Sequence, residues 1–468
     1  MSALLDVVLP PTGRRPERMP CRLALSAGPD KAIASIAPPA QHAQQPAAGG
    51  LPALLLPALC HPHVHLDKPY ILTCNHPSSS PDHPDYSDLA PQSGAFDEAL
   101  ANTSKAKQRY TDADLYLRGS QLLAASYSHG VSALRAFVEV DHITGTAPLV
   151  AAVRLKHDFA HLLDLQICVF AQDPIFSTEH GDSNRAVITA ALVDFRDSVG
   201  ALGTTPYVES SRDASLRNIN WAVTMALEHK MHLDFHLDYN LKRPAPPQDW
   251  PMVHSVIEVL EKHKWNAIAA SPMTVVLGHC TQLTAIDESE LRQLAARILE
   301  SKLPIHFVGL PTSDLFMMGR PGAGGSTFAR PRGTVQVPAI ISDLGLSACL
   351  GINNVGNAFT PFGTADPLQL ASWGVGIYQA GTPDDAELLY GCVSWRARQA
   401  IGLDRGPDAD FELHEGQKWK TMLLIRNTTT HELPGGPGQA ALHVPFRPRW
   451  AFKDVVWDPP DTQFRSLI

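Results

Sequence analysis

No run of about 18 apolar residues, the length that spans a bilayer as a helix, occurs in this 468-residue chain. Nor does it open like a signal peptide. In MSALLDVVLPPTGRRPERMP the apolar run is short, and the arginines follow it rather than precede it. A basic excess is missing too: 38 Lys and Arg stand against 47 Asp and Glu, a formal net charge of −9. That argues against a nucleic-acid polymer as partner. Cysteine is sparse, with seven residues at 21, 60, 74, 168, 280, 349 and 392 and no close CxxC pair. The odd count and scatter fit a reducing compartment and thiols that mostly fill core space. The expectation is a soluble cytoplasmic protein with no nucleic-acid polymer or membrane as partner, and with room for homo-oligomerisation.

What is present is a regular alternation. Apolar runs at 51–60, 164–172, 232–238, 274–280, 303–310 and 346–354 read as buried strands. Between them, the stretches 106–130, 215–230, 250–264 and 288–302 have helical spacing and end in Lys or Gly. Strands apolar throughout and separated by helices imply a parallel sheet covered by helices. Roughly eight such units fit a (β/α)₈ barrel with insertions. The other candidate, an open doubly wound sheet, normally carries a Gly-rich turn after its first strand, and none is present. Short strand-like runs flank this region, and neither end is large enough to fold alone. The expected organisation is a barrel over 58–405 and one small β-sandwich-like domain built from 1–57 and 406–468.

The sharpest local feature is HPHVHLDK, His61 to Lys68, directly after an apolar run. His63 and His65 are two apart, so on a strand they face the same side. An HxH pair among 21 histidines decides little. Its place at a strand C-terminus, the face where barrel chemistry sits, gives it weight. His236 and His279 have the same placement, at the ends of HLDFH and VVLGH. Four imidazoles on three strand ends, in barrel order, are not what surface or capping histidines produce. They predict a centre for one divalent ion, zinc or iron. His61, His232 and His306 fall out of register and are expected to be structural.

The elements HVHLDK, HLD, GHC and LGINNVGNAFTPFGTADPLQL, with FAQ, LPTSDLFMMGR and PRGTVQVPAI in order between them, resemble the cytosine deaminase branch of the amidohydrolase superfamily. The resemblance runs from about residue 51 to 403 and implies a distorted (β/α)₈ TIM barrel with one catalytic metal. It implies His63, His65 and His236 as ligands, with His279 beside the reacting water or substrate. It implies Gln172, Arg320 and Asn354 as substrate contacts. From its strand position alone, Gln172 is either a capping amide or such a contact.

Two positions depart from the pattern. Where the family has an aspartate after the last strand, this chain has Asn353. Where it has a glutamate three residues after the third histidine, this chain has Tyr239. Asparagine cannot accept a proton at neutral pH, and a tyrosine with a normal pKa of about 10 is a poor base there. Asp238 is two residues from His236. If the strand continues it faces the site as a catalytic carboxylate; otherwise it caps the next helix or pairs with Lys242 or Arg243. Two functions therefore stay open. One is a hydrolase of non-peptide C–N bonds in small cyclic amidines or amides, with altered proton transfer. The other is a degenerate barrel that binds a ligand or partner without hydrolysis.

Overall fold

The computed structural model describes residues 3–13, 15–27, 31–39, 50–74, 82–245, 249–270, 273–320, 328, 331–403 and 411–468. Four strands come first: β1 (Ala3–Leu9), β2 (Met19–Leu25), β3 (Ile33–Ala37) and β4 (Gly50–Pro57). The barrel strands follow: β5 (Leu59–His65), β6 (Val131–Glu139), β7 (Asp164–Ala171), β8 (Val199–Thr204), β9 (His232–Leu237), β10 (Val275–His279), β11 (Ile305–Gly309) and β12 (Ala348–Leu350). The chain ends with β13 (Met422–Thr428), the hairpin β14 (Thr430–Leu433) and β15 (Leu442–Pro445), and β16 (Arg465–Leu467).

β5 to β12 form one parallel sheet in sequence order. Helices between successive strands bury their apolar faces against it, in a continuous core that includes Leu122, Leu155, Ile188, Ile219, Val256 and Ile298. The barrel closes through a parallel bridge between Val64 and Asn353. There the Asn353 amide donates to the His63 carbonyl at 3.0 Å, and the His65 amide donates to the Asn353 carbonyl at 2.9 Å. Closing the barrel thus brings the end of the last strand against the two histidines of the first. The opposite end of the barrel is plugged by Cys60, Val276, Val308 and Cys349 against Ala397, Ala400 and Ile401.

The two chain ends share a single six-stranded sheet, in the order β16-β13-β4-β1-β2-β3. The apolar run 51–60 therefore serves two sheets. Up to Pro57 it pairs with β13, and from Leu59 it pairs with β6. Pro57, at the last position of β4, has no amide to extend a ladder. No helix among the described residues is long and apolar enough to cross a membrane.

Candidate metal centre at the barrel mouth

His63 and His65 project from β5 and His236 from β9, and their ligand atoms lie within 4.8 Å of one another. The His236 Nε2 is 3.1 Å from the His63 Nε2 and 3.3 Å from the His65 Nε2. A tetrahedral ion with bonds of about 2.0–2.1 Å sets such edges at about 3.3–3.4 Å. The spacing of the donors therefore fits a divalent ion. Room for His63 is made by glycine: a Cβ at Gly351 would stand 3.1 Å from the His63 Cβ, and one at Gly278 would stand 3.2 Å from the His63 ring.

The triad rests on an apolar floor. Phe137 lies 4.0 Å from His63 between ring centroids, and Phe170 lies 4.4 Å from His236. Burial on this floor drives all three imidazoles well below their ordinary pKa, and the neighbouring cationic groups act in the same direction. Neutral rings offer lone pairs, which is the form a metal requires. Asn353 adds a fourth group. Its amide faces His63 and His65, and its Oδ1 is buried without a hydrogen-bond partner. Asn353 also holds φ at 63°, a left-handed conformation that Asn and Asp tolerate better than most residues.

His279 stands outside the triad, its ring centroid 5.2 Å from that of His236. Its Nδ1 is 2.8 Å from the Asp314 Oδ1, and the other Asp314 oxygen accepts from Thr334 at 2.7 Å. Burial raises the Asp314 pKa, while both hydrogen bonds pull it down. With Asp314 as acceptor, His279 carries its proton on Nδ1 and leaves Nε2 free. Asp314 was not among the sequence candidates. The signal for it was an acid five residues past the end of an apolar strand, within LPTSDLFMMGR.

Tyr239 turns its ring to His279. It lies 3.9 Å from His279 between centroids, tilted by 32°. Its hydroxyl donates to the Ser313 carbonyl at 3.3 Å, and burial drives its pKa well above the ordinary value.

The expectation that Asp238 faces the triad is corrected. The strand ends at Leu237, and Asp238 takes φ 49°, which breaks the two-residue alternation. Its carboxylate instead accepts from the amides of Met252 at 2.8 Å and Val253 at 3.2 Å, at the start of helix Met252–Lys262. Burial pushes its pKa up to about 6, the two amide bonds opposing. Asp238→Ala is therefore expected to cost about 1–2 kcal/mol of stability, as lost caps do. Asp238→Asn keeps one of the two acceptor oxygens, so it should leave turnover near wild type and cost less stability than Ala. Thermal melts and a rate assay on the two variants check this; a sharp loss of turnover in Asp238→Asn alone would return the residue to the site.

The other candidates divide. Gln172, at the end of β7, is buried; its Oε1 accepts from Lys68 Nζ at 3.4 Å, and its amide faces the Tyr207 hydroxyl. Lys68 follows the triad's HVHLD and is paired with buried Glu139. Glu139 is shared with Lys107, which also holds Asp141 at 2.8 Å. This ionic cluster beside the centre was not foreseen. Asn354 is occupied by the loop fold, its Oδ1 accepting from Asn357 at 2.8 Å. Arg320 donates to the Ser93 carbonyl at 3.0 Å and packs 4.5 Å over Phe316. His61, His232 and His306 pair with Ser126, Thr274 and Ser347, as structural residues do.

Solved structures share this arrangement of strands. The 5-methylcytosine deaminase from Klebsiella pneumoniae, liganded with 5-fluorocytosine, superposes with a TM-score of 0.71 at 21% identity, covering 91% of each chain. The chain has the barrel fold of these deaminases. N-isopropylammelide isopropylaminohydrolase from Burkholderia multivorans gives 0.63 at 19% identity, over 91% of this chain and 92% of that one. An adenosine deaminase from Xanthomonas campestris with bound zinc gives 0.54 at 14%, over 90% and 84%. No family model and no curated protein matches the chain.

Proposed function

We propose that this protein is a metal-dependent hydrolase of non-peptide C–N bonds in small cyclic amidines or amides, using His279 and Asp314 for the proton transfers. The observation that carries the proposal is the His279–Asp314 pair, 2.8 Å apart, beside three converging imidazoles. His63, His65 and His236 would hold a divalent ion, zinc or iron, with the Asn353 amide oxygen beside them. When bound, such an ion supplies Lewis-acid polarisation and lowers the pKa of water. Asn353 cannot accept a proton. His279 could accept one at Nε2, with the Asp314 carboxylate beside its Nδ1 to balance the charge. The same nitrogen would then hand that proton to the departing nitrogen as a C–O bond to water's oxygen replaces the C–N bond. Tyr239 covers the face of His279 and limits its rotation. Gln172, fixed through its oxygen by the donor-only Lys68, offers its amide hydrogens to a substrate oxygen or ring nitrogen.

Because Asn353 and Tyr239 stand where the related pattern has two carboxylates, cytosine is expected to be a poor substrate or none. The test is release of ammonia or amine by metal-loaded protein from a panel of aminopyrimidines, aminotriazines and aminopurines. The proposal expects at least one good substrate outside cytosine. The second function, binding without hydrolysis, is favoured by the same two replacements. It prevails if no panel member reacts and Asn353→Asp with Tyr239→Glu restores nothing.

A further inference from the structure

A neutral His63 that offers Nε2 to an ion must carry its proton on Nδ1. That Nδ1 is buried and has no hydrogen-bond partner. Asp234 on β9 turns Oδ1 toward it at 3.9 Å, and this oxygen is also buried without a partner. Complementary groups thus face each other about 0.7 Å beyond the outer limit of a hydrogen bond, a gap that a small approach of the two side chains would close.

The rest of Asp234 is fixed. Its Oδ2 accepts from Arg135 Nη1 at 2.8 Å. Arg135 Nε donates to Gln166 Oε1 at 2.6 Å, and Gln166 donates to the Ile401 carbonyl at 3.0 Å. Arg–carboxylate pairs are frequently two-pronged. Here one prong is missing: Arg135 Nη2 has no partner, and neither has Asp234 Oδ1. The carboxylate is turned off the arginine's fork and toward His63. Among the described residues, His65 and His236 have no carboxylate within 4 Å, so His63 is the one ligand so equipped.

We infer that Asp234, held by Arg135, is a positioning residue that fixes His63 as the Nδ1–H tautomer and aims its Nε2 at the metal. This rests on the metal centre proposed above. It assigns a task to the arginine and aspartate inside the barrel, below the triad, where neither touches substrate.

The test is zinc affinity of metal-stripped protein, measured by competition with a chromophoric chelator. Asp234→Asn is expected to weaken zinc by about 10–100-fold, as changes behind a ligand typically do. Arg135→Met with Asp234→Leu removes both charges together, which cores often tolerate, and should weaken zinc similarly. Asp366→Asn breaks a different buried pair, with Arg465 at 2.9 Å; it should lower the melting temperature and leave zinc affinity alone. In ¹⁵N-histidine-labelled, zinc-loaded protein, the His63 Nδ1 proton resonance should move upfield in Asp234→Asn. If wild type binds zinc and both Asp234 variants bind it equally well, this inference is overturned while the metal centre stands. Equal weakening in Asp366→Asn overturns it as well, since the loss then follows stability. Absence of zinc binding in wild type removes the metal centre and this inference with it.

Discussion

His236→Ala is expected to abolish tight zinc binding, the largest single effect foreseen for this molecule. His236 Nε2 is the one ring atom placed within 3.3 Å of both others. Removing it leaves two imidazoles on one strand, half of a tetrahedral set. Ligand that binds only the folded state stabilises it by about 2.7 kcal/mol at a hundred times Kd. Thermal melts with and without zinc therefore read the centre directly. Wild type should melt higher with zinc, and His236→Ala should melt at the same temperature in both conditions. A variant that keeps the zinc-dependent rise would place the ion elsewhere.

The second large effect is on turnover. Once a substrate is found, His279→Gln should lower kcat by about 10²–10⁴-fold, the range for one positioned acid–base group. Asp314→Asn should fall in the same range, because an amide no longer compels His279 to keep its proton on Nδ1 and leave Nε2 as the base. The two losses should not add in the double variant, since the residues act as one unit. Zinc affinity should be little changed in either, because His279 lies outside the ligand cluster. An Asp314→Asn enzyme with wild-type kcat would contradict the role assigned to the pair.

Much of this was legible in sequence, and the exceptions have physical causes. The apolar runs that became β7, β9, β10 and β11 were visible because strands buried on both faces read as continuous hydrophobic stretches. β6 was harder to see: Val131–Glu139 carries Arg135 and Glu139, which are buried but paired with Asp234 and with Lys68 and Lys107. β8, VGALGT, is short and holds two glycines. The histidines were found because strand parity holds through His65 and His236. Asp238 had two readings open, facing the site or capping the next helix; alternation stops at Leu237, so the capping reading describes it. Positive φ recurs at these strand ends, at Asp238, His279, Cys280 and Asn353. Such turns re-aim side chains in ways that no alternation pattern encodes. Asp314 and the Lys68–Glu139–Lys107 cluster depend on contacts between distant strands and loops, so only the folded chain assembles them.

Every role proposed for this barrel requires a metal centre at its mouth. Anomalous diffraction at the zinc edge from zinc-soaked crystals tests it most directly. The predicted result is one strong peak about 2.0–2.1 Å from the Nε2 atoms of His63, His65 and His236. No peak there at full zinc loading, or a peak on other side chains, would contradict it.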